Sequence, residues 1–280
     1  MGSNHRLDQR TGLSARPPWA ESHKQNRHPG KTNGSCAIVG ESARWGMALL
    51  FPGVLAVHIA AGAVALLVFW VPLVTKKGGR THRRVGWVYV AAAGTLALTG
   101  FLLCIQLVSS GSPLRWRAGI FLAYVSVLAG ASAQLGVRAL RTKGRAGASR
   151  SAIDLVPPLL LVAGGVALAA FGIYRSTVLY VLFAALGVVL GVAHLRFWLM
   201  PPAHERAWFL AHMNGMGTSC ITTVTAFVVV NARRFGMRTF DLALWAGPIA
   251  VLAVGLTIWR RYYARRFTGN DVPGGAPRVL

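Results

Sequence analysis

The residues of this chain best suited to chemistry are histidines. His58, His194 and His212 stand inside long apolar stretches, and His82 and His204 stand just outside them. An ionisable side chain within such a stretch marks a site by default. Neutral imidazole binds metal ions and haem iron, and it also relays protons. Other chemistries find little footing. No HxxxH or HExxH occurs, so the zinc-hydrolase and di-metal hydroxylase patterns are missing. Glu205, Asp154 and Asp241 are too scattered for paired-carboxylate acid–base work. Cys36, Cys104 and Cys220 form no CxxC. There is no nucleophile elbow and no P-loop, and the last apolar run has no lysine for a retinal Schiff base.

Seven apolar runs must position these histidines: Ala48–Val74, Val85–Val108, Ala118–Val137, Val156–Tyr174, Thr177–Met200, Ala207–Val230 and Leu242–Trp259. Of 30 basic and 7 acidic residues, only Arg196 falls within them. The chain is 54% hydrophobic and 13% charged, where an average soluble chain is about 25% charged. That partition excludes a soluble domain, a coiled coil and a disordered chain. The runs are 18 to 27 residues long, and ~20 residues of helix cross the hydrocarbon layer. They are apolar all round, unlike the short alternating segments of an outer-membrane barrel. The expected fold is therefore all-α, a polytopic transmembrane helix bundle of seven spans.

Eight of nine tryptophans sit at or near run ends, where an indole prefers the headgroup level. Pro52, Pro157 and Pro158 are expected in first turns, Pro72 in a last turn and Pro248 within the seventh span. Gly187-Val-Val-Leu-Gly191 is a GxxxG that lets helices approach closely in lipid. No internal repeat of the kind built into many transporters is visible.

Counting Lys and Arg near the run ends gives sixteen on the side of the first, third and fifth loops and seven on the other. The positive-inside rule then puts those loops and the C-terminus in the cytoplasm, with the N-terminus outside a cell membrane. Six further basic residues in the N-terminal tail pull against this. Residues 1–46 are polar and read as a disordered basic tail. Translation beginning at Met47 is one explanation of it. The transmembrane domain is expected over 47–260, with a loose tail over 261–280. The net charge of +23 invites a nucleic-acid reading, but the cations are spread over many short loops and not gathered on one face. Topology signalling and contact with anionic headgroups explain them better.

On this map His194 and His212 both lie roughly 8 Å inside the cytoplasmic surface on consecutive spans, so they could face each other. His82 would stand near the mouth of that site, while His58, roughly 24 Å in, lies at another level. The sixth run is the most polar. Asn214, Thr218, Thr222 and Thr225 form one stripe, with His212, Ser219 and Thr223 beside it. Such a face turns into the bundle, either to bond neighbouring helices or to line a hydrated path. The first cytoplasmic loop carries Lys76, Lys77, Arg80, Arg83 and Arg84 around a Gly78-Gly79 turn. It reads as a topology anchor that also suits anionic lipid headgroups.

Four segments carry a likeness: His58-x3-Gly62, Lys77-Gly-Gly-x2-His82-Arg83-x2-Gly86, Trp208-x3-His212-x2-Gly215-Met216, and Thr225-Ala-Phe-Val-Val-Val-Asn231. Together they resemble a family of uncharacterised bacterial membrane proteins over residues 50–231. The resemblance implies a bacterial cytoplasmic-membrane protein and singles out His58, His82 and His212. It implies no substrate, cofactor or reaction.

Three functions remain open on sequence alone. One is a haem or metal site for electron transfer on the cytoplasmic half, with His194 and His212 as ligands and His82 beside them. Another is a transporter or channel for a small solute or proton, with His58 and the polar stripes of the sixth run as its path. The last is a scaffold or sensor in which the histidines only pack.

Overall fold

The computed structural model describes residues 34–232, 234, 236–237 and 241–269, with 34–50 and 268–269 given by backbone alone. The chain divides into residues 1–46 and residues 47–280, and the bundle belongs to the second unit. The helices are α1 (Gly34–Val68), α2 (Trp70–Val74), α3 (Arg80–Ser109), α4 (Pro113–Arg141), α5 (Ala152–Tyr174), α6 (Val178–Leu199), α7 (Ala207–Ala232) and α8 (Leu242–Gly269). Among the described residues there is no strand. Seven segments are long and apolar enough to cross a membrane, from Phe51–Val74 to Leu242–Phe267. Large apolar side chains such as Leu67, Val189 and Val251 face outward, which suits lipid and would be costly in water. The protein is an integral, multi-pass membrane protein.

Helix α4 is the centre of the bundle and packs against α3, α5 and α7, while α6 lies on α5 and α8 on α7. Glycine makes the α4–α7 contact possible. A methyl group on Gly215 would stand 2.5 Å from the Ser132 carbonyl oxygen and 2.6 Å from the Gly136 nitrogen. Gly191 of the expected GxxxG presses likewise on α5, where a methyl would meet the Pro158 carbonyl oxygen at 2.9 Å. An aromatic cluster ties α4, α6 and α8 together. Phe121 stacks on Tyr180 at 4.9 Å, and Trp245 stands edge-on to Phe121 and Phe183.

Several helix ends differ from expectation. Helix α5 begins at Ala152, a turn before the apolar run, so Pro157 and Pro158 lie inside it and not in its first turn. Proline leaves the carbonyl four residues back without its helical donor. Gln134 Nε2 of α4 supplies that donor to the Ile153 oxygen at 2.7 Å. Helix α1 begins at Gly34, which places Pro52 in its interior. It also makes 34–46 helical, while 1–33 of the expected tail lie outside the described residues. Helix α8 runs on to Gly269 because Tyr263 and Phe267 pack on Phe209 of α7 at 5.1 and 5.3 Å. Of the expected loose tail, 270–280 lie outside the described residues. Gly78, with φ +75°, makes the turn before α3, as the Gly-Gly pair predicts.

Candidate functional site

His82 lies in the first turn of α3, and His212 lies in the second turn of α7. Their ring centroids are 6.4 Å apart, with planes crossing at 65°. Each ring is pinned by a backbone carbonyl. The Nδ1 of His82 is 3.1 Å from the Pro72 oxygen, and that of His212 is 2.8 Å from the Gly136 oxygen. A carbonyl oxygen only accepts, so both Nδ1 atoms carry the proton. In each neutral imidazole the Nε2 lone pair is then left bare. Local sequence explains both acceptors. Pro72 follows the break between α1 and α2. Gly136 lets α7 come close enough for the His212 ring to reach the α4 backbone.

The partner of His212 is thus His82 and not His194. The expected pairing assumed that consecutive helices lie side by side, but α6 packs on α5, and α7 packs on α4 and α8. Between α6, α7 and α8 lies a cavity of about 600 Å³ floored by α4. His194 lines it from α6, 5% exposed, and its Nδ1 has no hydrogen-bond partner.

The two polar stripes of α7 go separate ways. Asn214, Thr218, Thr222 and Thr225 line the cavity. Ser219, on the other stripe, meets the Tyr89 hydroxyl of α3 at 2.9 Å. Thr222 and Thr223 donate to the carbonyls of Thr218 and Ser219 on their own helix. His58 is elsewhere again. Its Nδ1 is 2.9 Å from the Thr99 hydroxyl, which itself donates to the Thr95 carbonyl at 2.6 Å. The His58 Nδ1 is therefore the donor. His58 and the cavity stripe do not line a common wall.

Of the cations expected in the first loop, Lys76 is in the loop and Arg80, Arg83 and Arg84 are in the first turns of α3; all four are exposed. Lys77 has turned inward. Its Nζ donates to the carbonyls of Pro72 at 2.8 Å and Leu73 at 2.6 Å and stands 4.4 Å from the Trp259 ring. Burial pushes its amine below the usual lysine value. It closes the end of α2, and Pro72 serves both it and His82.

One arrangement escaped sequence reasoning. Asp154, fully buried, accepts two bonds from Arg138 and one from Ser149 at 2.7 Å. Nearby, Arg145 caps α6 through the carbonyls of Phe197, Trp198 and Met200. These contacts fix the loop from Thr142 to Ser151 against the end of the helix that bears His194. The only signal was an acidic residue just ahead of an apolar run.

The fold and site define a multi-pass membrane protein with paired histidines at the basic end and a separate cavity between its last three spans. Compared with protein-family models, curated proteins and solved structures, the chain shows no significant match to any of the three.

Proposed function

We propose that the protein is an electron carrier of a bacterial cytoplasmic membrane, with iron or copper held between His82 and His212. The observation that carries this reading is the close pair of rings whose Nδ1–H groups are fixed by carbonyls. A backbone acceptor on the far nitrogen is the usual way a protein orients an imidazole ligand. A metal–imidazole bond of ~2.0 Å plus ~1.1 Å from nitrogen to ring centre puts trans rings ~6.2 Å apart. The 6.4 Å separation is close to that and exceeds the ~5 Å of a tetrahedral pair. Among the described residues no group of three or more His, Cys, Asp and Glu could hold a metal ion. A closed four-ligand zinc site therefore has no support. His82 and His212 would be the residues to hold a haem iron or a single copper ion, which would supply one-electron chemistry there. The exposed cations Lys76, Arg80, Arg83 and Arg84 lie at this end, which the positive-inside rule predicts to be cytoplasmic, and they suit anionic headgroups there.

The test is the absorption spectrum and metal content of the purified protein, as isolated and after haemin or copper is added. A Soret band marks haem, and one copper per chain without it marks the ion. Either should be lost in His82→Ala and in His212→Ala and kept in His58→Ala. Neither signal in the folded wild-type protein ends the proposal.

A further inference from the structure

The cavity between α6, α7 and α8 is unrelated to the His82–His212 pair and has a chemistry of its own. Helix α8 runs antiparallel to α7, because a methyl on Gly217 would meet Leu256 and Phe209 packs on Tyr263. That register sets Arg260 level with Asn214. Asn214 is seven residues into α7, roughly 10 Å from its start. His194 is five residues from the end of α6, roughly 8 Å in from the same face. Three helices thus bring His194, Asn214 and Arg260 to one level of the cavity wall. The Nδ1 of His194 is buried behind that wall, so the polar groups of this level that a ligand meets are those of Asn214 and Arg260.

Deeper in, the wall is apolar on α6 and α8, with Leu186, Leu190 and Ile249, and Trp245 stands near the far end. The stretch from Arg260 to Trp245 is fifteen residues, ~22 Å of helix. Thr222 bonds its own backbone, and the Thr225 hydroxyl is buried away from the cavity surface.

We propose that this cavity binds a single-chain amphiphile with an anionic head. The head oxygens accept from Arg260 and Asn214, beside His194, and the chain lies along α6 and α8 toward Trp245. The anion meets the Arg260 guanidinium, which is exposed near the basic end of α8 and suits an anionic head at that level. The volume of about 600 Å³ admits one chain, within the range of ordinary ligand sites.

The experiment uses the purified protein in neutral-lipid nanodiscs and stearate brominated near its methyl end, which quenches tryptophan on contact. Quenching should be saturable and should largely vanish in Trp245→Phe. Its midpoint should rise about tenfold or more in Arg260→Gln, the loss of one charge-assisted contact, and recover in part in Arg260→Lys. Competition by unbrominated stearate and by a single-chain phosphate monoester tells which head is preferred; methyl stearate should not compete. Should Trp245→Phe fail to fold, the wild-type thermal shift by stearate against methyl stearate gives the same reading. Unsaturable quenching, an unchanged midpoint in Arg260→Gln, or equal thermal shifts by the two stearates overturns the proposal. None of these readouts depends on bound metal.

Discussion

Arg138 grips Asp154 through two parallel hydrogen bonds, Nε to Oδ1 at 2.7 Å and Nη2 to Oδ2 at 2.9 Å. The carboxylate is fully buried and the arginine side chain is 21% exposed. This bidentate geometry joins α4 to the first turn of α5. Through Ser149 it also holds the loop that caps α6.

Removing one partner strands a buried charge, which typically costs more than the pair contributes. Asp154→Ala should therefore destabilise the protein by about 3 kcal/mol. Arg138→Met alone should cost a similar amount, tempered by water at the arginine. The double variant Arg138→Met/Asp154→Leu should lose clearly less than the two singles together. Thermal unfolding in detergent measures all three. Strictly additive losses would mean that the two residues stabilise the protein independently.

The α4–α7 contact gives a second prediction, because its closest atoms are backbone and cannot rotate away. Gly215→Ala forces the helices apart against the Ser132 carbonyl and the Gly136 nitrogen. A cost of about 1–3 kcal/mol is expected. The same displacement draws His212 away from the Gly136 oxygen that fixes its tautomer. Gly94, also in a span, has nothing within 4 Å of an added methyl. Gly94→Ala should change the melting temperature little or raise it. If both variants melt alike, close approach at Gly215 is not what holds α7 in place.

The spans were legible in the sequence because lipid enforces one rule over some twenty consecutive residues, and seven runs obeyed it. Their ends were less legible, because polar residues extend a helix only when a partner waits in three dimensions. Gln134 for the carbonyl freed by Pro157 is one such partner, and Phe209 for Tyr263 and Phe267 is another. The histidines were visible as residue types, and their depths could be estimated by counting. Which ones meet depends on helix neighbourhood, and periodicity along one helix carries no information about that. His194 and His212 share a level, yet α7 packs on α4 and α8 and turns His212 toward His82. The two stripes of α7 were likewise readable as a face, but not as two faces serving different neighbours.

Orientation is the remaining prediction, and it decides which compartment the His82–His212 pair meets. Sixteen Lys and Arg residues lie near the helix ends of the His82 face and seven near those of the other. By the positive-inside rule such an excess predicts that this face is cytoplasmic. Ser110, at the opposite end of α3, and Gly144, in the loop after α4, are both exposed, and a methyl at Gly144 meets nothing within 4 Å. Each can be changed to cysteine in a chain whose Cys36, Cys104 and Cys220 have been replaced. In intact cells an impermeant maleimide should label Ser110→Cys at once. Gly144→Cys should be labelled only after the membrane is opened. The reverse pattern would put the histidine pair on the outer side, and a partner for the proposed electron carrier would then have to be sought on that side.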